Sequence, residues 1–123
     1  MKESFWSRFW RTGSLSQEEK PRTPAAPVAP EGEGTVRMGL TFHGRVQGVG
    51  FRFMAVNLAR PRGLTGWVRN ESDGSVAMEV QGRGADINSL VEELHNQRFI
   101  RIERVESQRL TVDTHETGFR EKM

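Results

Sequence analysis

The sequence predicts an α+β fold, a single sheet covered on one face by two helices in the order βαββαβ with a short terminal strand. Three observations predict it. Residues 36–43 alternate between apolar and other side chains, Ile87, Leu90, Val91 and Leu94 recur at i, i+3, i+4 and i+7, and glycine- or proline-marked turns separate the periodic segments. Strands and helices interleaved in this order bury their apolar sides by laying both helices on one side of one sheet.

Residues 1–35 hold four of the five prolines, Pro21 to Pro30, among Ala, Glu and Gly. They offer little apolar surface at any regular period and are predicted to be a disordered tail ahead of a domain at 36–123. The start of the tail, MKESFWSRFWR, differs: Phe5, Trp6, Phe9 and Trp10 recur at helical spacing beside Lys2, Arg8 and Arg11. Two readings stay open for it, a disordered start with incidental aromatics or a short interfacial helix that docks to a membrane surface or a protein partner.

The first strand places Val36, Met38, Leu40 and Phe42 on one side and Arg37, Gly39, Thr41 and His43 on the other. A glycine-spaced turn at 44–50 leads into a helix carrying Phe51, Met54, Ala55 and Leu58. Pro61 lacks an N–H and disfavours helical geometry at Arg60, so this helix is expected to end near Ala59, with Gly63 in the exit turn. A strand follows at 65–70, then the turn ESDG, whose Asp73-Gly74 pair signals a hairpin, then a strand with Val76, Met78 and Val80 inward. The second helix spans 85–96. From 99 to 112 an extended segment has Ile100 and Ile102 in one phase and Val105 in the other, which predicts a bulge or a late strand start. A short strand around Phe119 closes the domain.

The totals exclude several chemistries. There is no cysteine, hence no disulfide, thiolate zinc site or cysteine nucleophile. His43, His95 and His115 are scattered without ligand spacing and are read as structural or solvent-facing. No run of eighteen apolar residues occurs and no secretion signal opens the chain, so a cytoplasmic address without a transmembrane segment is expected. The net charge of +2 is too small to imply a polyanion partner. From residue 37 on, however, twelve of thirteen cations are arginine, which fits either a phosphate-like partner or a compositional bias.

The chemistry concentrates in the first turn. Gly44, Gly48 and Gly50 permit conformations in which successive N–H groups point into one concavity, at a helix N-terminus whose dipole favours anions. Arg52 in the first helical turn adds a guanidinium. A three-glycine turn alone also has a purely steric explanation.

The run GRVQGVGFR at 44–52, followed eleven residues after its arginine by GLTGWVRN at 63–70 and then by DGSV and QG, resembles the acylphosphatase family. The resemblance covers about residues 37–121. It implies a ferredoxin-like antiparallel sheet and a cofactor-free, metal-free enzyme, with no catalytic histidine, that hydrolyses the carboxyl-phosphate bond of small acyl phosphates to carboxylate and inorganic phosphate. The implied phosphate-binding loop is Gly44, Arg45, Val46, Gln47, Gly48, Val49, Gly50 and Phe51, closed by Arg52, with Asn70 orienting the attacking water. Positioning and electrostatics suffice for such chemistry because the leaving carboxylate is a weak base.

Each site residue has a rival role: Arg52 as a surface ion-pair partner, Asn70 as a turn former, Arg45 as an exposed cation. Trp67 is read as core or sheet packing. Two departures from the family pattern stand out, Pro61 near the end of the first helix and Glu71 directly after Asn70. The first functional reading is a monomeric enzyme. Competing functions are a non-catalytic ferredoxin-like module, either RNA-binding or an accessory that hands an acyl phosphate to a partner. No nucleic acid is expected, because the outward residues of the first and third strands, Arg37 to His43 and Ser75 to Gln81 in alternation, include no aromatic for base stacking.

Overall fold

The computed structural model describes residues 26–32 and 34–123. The aromatic start at Phe5, Trp6, Phe9 and Trp10 lies outside the described residues. The elements are β1 (Thr35–Arg45), α1 (Phe51–Ala59), a 3-10 turn (Arg60–Arg62), β2 (Thr65–Asn70), β3 (Val76–Arg83), α2 (Gly84–His95), β4 (Arg101–Leu110) and β5 (Phe119–Lys122). They form one five-stranded sheet of order β4-β1-β3-β2-β5.

The four longer strands pair antiparallel, as expected, while β5 runs parallel to β2. The sheet is therefore mixed. Leu110 at the end of β4 and Thr65 at the start of β2 lie at the same end of the sheet, both in line with the register of Arg37 and Gln81. A chain crossing from one to the other must enter its new strand in the direction of β2.

The alternation in β1 has its packing counterpart. Val36, Met38, Leu40 and Phe42 join Val68, Val76, Met78 and Val80 in a core that also contains Ala55 and Ala59 of α1 and Ile87, Leu90 and Leu94 of α2. Burial of each large aliphatic side chain contributes about 1.5–3 kcal/mol. Pro61 does not disrupt the exit of α1: the 3-10 turn accepts it near its start, and Gly63, at φ 68°, ends that turn.

The phase break in the last long strand is a bulge. His43 faces Arg104 and Gly44 faces Ile102, leaving Glu103 as the extra residue, so Ile102 and Val105 both pack against the core.

Two features depart from the pattern read along the chain. Arg37, placed on the outward face, is only 5% exposed. Residues 111–118 lie near it, and Glu116 and Glu79 both accept hydrogen bonds from its guanidinium, while Gln81 is fixed to the main chain of Asp113. Pairing offsets the desolvation of the charge, which sequence alternation cannot foresee. Upstream, Val28 and Ala29 both donate main-chain N–H bonds to Asn88 Oδ1 on α2, and Ala29 is buried. A Cβ at Gly84 would lie 1.8 Å from the carbonyl oxygen of Pro30, so glycine is required at the start of α2. Packing thus begins ahead of residue 36.

Candidate active site

The turn from β1 to α1 is built from glycine. Gly48 and Gly50 adopt φ of 72° and 81°, a region that other residues enter only with strain. Gly50 is the N-cap of α1 and supplies no side chain to the first helical amides. Those amides keep their partial positive charge for an incoming group. Gly44 answers a different need, since a Cβ there would meet the carbonyl oxygen of Arg101 at 2.2 Å.

Buried side chains anchor both ends of the loop. Val46 is 1% exposed, and the Phe51 ring packs on Phe42 of β1 with centroids 4.9 Å apart. Gln47 braces the middle: its Nε2 donates to the carbonyl oxygens of Glu71 and Ser75 in the β2–β3 hairpin, at 2.7 and 2.8 Å. The hairpin has its own lock. Asp73 Oδ1 accepts bonds from the Ser75 hydroxyl and N–H, which hold the Asp73 carboxyl below its ordinary pKa.

Between loop and hairpin lies a cavity of about 150 Å³ lined by Val46, Gly48, Gly50, Phe51, Arg52, Phe53, Asn70 and Glu121. At roughly 30 Å³ per water-sized group, it accommodates about five heavy atoms, the size of a phosphate. Asn70 is the last residue of β2 and lies on the same side as Gly66 and Val68. Arg52 occupies the first turn of α1, its Nε 3.7 Å from Glu121 Oε1.

The structure therefore brings Arg52 and Asn70 to one cavity with Val46, Gly48, Gly50 and Phe51. The other four loop residues lie around it: Arg45 and Val49 line a neighbouring recess, Gln47 braces the hairpin, and Gly44 packs against β4. Glu71 does not line the cavity. Its carboxylate pairs with Arg69, 2.9 Å away, on a side chain that alternates to the opposite face from Asn70. None of the three histidines lines it either.

Sequence reasoning missed Glu121 and Phe53. A signal for Glu121 was present: it is two residues beyond buried Phe119, so both point to the same side of β5. What the sequence could not supply was the parallel pairing that sets Glu121 opposite Val68.

The fold is that of a ferredoxin-like α+β protein, and the cavity at the β1–α1 turn offers amides, a guanidinium and a carboxamide to one small group. The acylphosphatase family model matches residues 38–121, and the chain belongs to that family, whose members hydrolyse acyl phosphates. Among relatives, an acylphosphatase of Oceanobacillus iheyensis is 40% identical over 81 residues, spanning 64% of this chain and 89% of the relative. The crystal structure of acylphosphatase from Bacillus subtilis superimposes with a TM-score of 0.67 at 29% identity, covering 72% of this chain and 99% of that one. The chain is also 38% identical over 95 residues to carbamoyltransferase HypF2 of Cupriavidus necator, covering 76% of this chain and 12% of that protein.

Proposed function

We propose that the cavity holds the phosphate group of a small acyl phosphate between the main-chain amides of residues 46–51 and the Arg52 guanidinium, while Asn70 holds the attacking water. The observation that carries this is the convergence of Arg52 and Asn70, from different elements, on one phosphate-sized cavity at a helix N-terminus.

In this scheme the water oxygen forms a bond to phosphorus as the bond from phosphorus to the acyl oxygen breaks. The carboxylate leaves with the electron pair, and the water proton passes to phosphate or solvent. Asn70 offers a side-chain amide oxygen as acceptor and an NH₂ as donor, which together aim a water without removing its proton beforehand. A leaving carboxylate of ordinary pKa, about 4, needs no proton at departure. The catalytic demand is charge stabilisation on the phosphoryl oxygens, which amides and a guanidinium supply.

The test is hydrolysis of acetyl phosphate by the purified chain in the presence of a chelator, with inorganic phosphate as inhibitor. Turnover with competitive inhibition is expected; no turnover, or phosphate that does not compete, overturns the proposal.

A second reading rests on the match to carbamoyltransferase HypF2: the chain takes carbamoyl phosphate in place of a carbon-chain acyl phosphate. A kcat/KM for carbamoyl phosphate at least tenfold above that for acetyl phosphate would favour it. RNA binding has less support. Trp67 does stand on the open face of the sheet, yet Arg69 and Lys122 both lie over its ring, at 5.0 and 4.6 Å, where a base would have to stack.

A further inference from the structure

A second recess, of about 700 Å³, adjoins the small cavity and shares Gly48 with it. Its walls are the end of β1, the start of β4 and the link before β4. Arg45 and Arg101 face each other there in register across the two strands, and Arg98 stands close by on the link. Like charges placed opposite one another on paired strands repel. Among the described residues none of the three has a carboxylate within 4.0 Å, and Glu103 is the single acid on the wall. Apolar surface lies between the charges: Phe99 is 71% exposed, with the Arg98 guanidinium 5.7 Å from its ring centre, and Val49 forms part of the floor.

We propose that this recess receives the acyl part of the substrate and selects acyl phosphates whose chain ends in a second anionic group, a carboxylate or a phosphate. The inference rests on the phosphate-cavity reading given above. In-line displacement sends the leaving carboxylate away from the attacking water, and the recess beyond Gly48 has far more room than an acetyl group needs. Its guanidinium groups are suited to hold a terminal carboxylate or phosphate by paired, charge-assisted hydrogen bonds. The exposed ring and Val49 would cover the methylenes in between. An apolar or very short acyl group leaves these cations without a partner and gains nothing from them.

The experiment compares kcat/KM for acetyl phosphate and for succinyl phosphate, the mono-acyl phosphate of a four-carbon dicarboxylic acid, at low salt. The proteins are the wild type, Arg98→Gln, Arg101→Gln and the double variant. Acetyl phosphate hydrolysis is expected to stay within about twofold throughout, while the double variant loses about tenfold or more on succinyl phosphate, mainly through KM. High salt should shrink that difference, because exposed charges are screened. Equal losses on both substrates, or none on succinyl phosphate, overturn the proposal. A wild type inactive on acetyl phosphate overturns the phosphate-cavity reading instead. Should the variants unfold, inhibition of the wild type decides: succinate must compete with acetyl phosphate more tightly than butyrate does, and equal inhibition counts against the recess.

Discussion

Gln47 Nε2 lies 2.7 Å from the main-chain oxygen of Glu71, the residue that follows Asn70. One side chain in the loop that surrounds the phosphate-sized cavity therefore holds the end of the strand that carries the water-orienting candidate. The loop joins β1 to α1 while the strand belongs to the β2–β3 hairpin, and this tie holds the two together. A displacement near 1 Å at such a site costs rate even when every functional group is present.

Replacing Gln47 by alanine should remove both bonds to the hairpin and lower stability by about 1–2 kcal/mol. Its kinetic signature should be a fall in kcat larger than the rise in KM, since Arg52 and the amides remain. Urea unfolding together with steady-state kinetics on acetyl phosphate checks both parts.

Arg52→Ala and Asn70→Ala should separate binding from positioning. Loss of Arg52 should abolish inhibition by phosphate and lower kcat/KM by roughly 100-fold to 1,000-fold, as for removal of one donor to transition-state charge. Asn70→Ala should lower kcat to a similar degree yet leave phosphate inhibition nearly intact. Inhibition constants for phosphate in all three proteins provide the readout.

Glu121 stands 3.7 Å from Arg52 and competes with an anion for the same guanidinium. Glu121→Gln should tighten phosphate inhibition several-fold at low salt, with a smaller effect at high salt, because both side chains are partly exposed. Isothermal titration with phosphate at two ionic strengths measures it.

At the other end of the sheet, burial works against the charged form of Glu116, but the hydrogen bonds and charge of Arg37 outweigh it and hold the carboxyl below its ordinary value of 4.5. A depressed folded-state pKa contributes stability that is present above the unfolded value and lost as pH falls through the folded one. Glu116→Gln should therefore cost about 1–3 kcal/mol at pH near 7. The gap between variant and wild type should narrow as the pH drops below about 4.5, which unfolding curves across that range will reveal.

Local signals carried much of the fold. Strict alternation defined β1, a hairpin dipeptide joined β2 to β3, the four apolar residues from Ile87 to Leu94 defined α2, and the phase change between Ile102 and Val105 was the bulge at Glu103. The cavity was legible in part because Gly48, Gly50 and Arg52 are neighbours in sequence, while Asn70 needed the spacing of two motifs. What stayed hidden depends on distant partners. Arg37 reads as an outward strand residue until residues 111–118 bring Glu116 to it. Val28 and Ala29 read as tail until Asn88 is seen to accept their N–H groups. Glu121 enters the site through a parallel pairing that no local pattern announces.

The most direct test of the central claim is a titration of the folded chain with inorganic phosphate, followed by amide NMR. Saturable shifts confined to the main chain of residues 46–51 and the Asn70 side-chain amide, and absent in Arg52→Ala, are predicted. Shifts that miss the loop, or that persist unchanged without Arg52, would contradict the account.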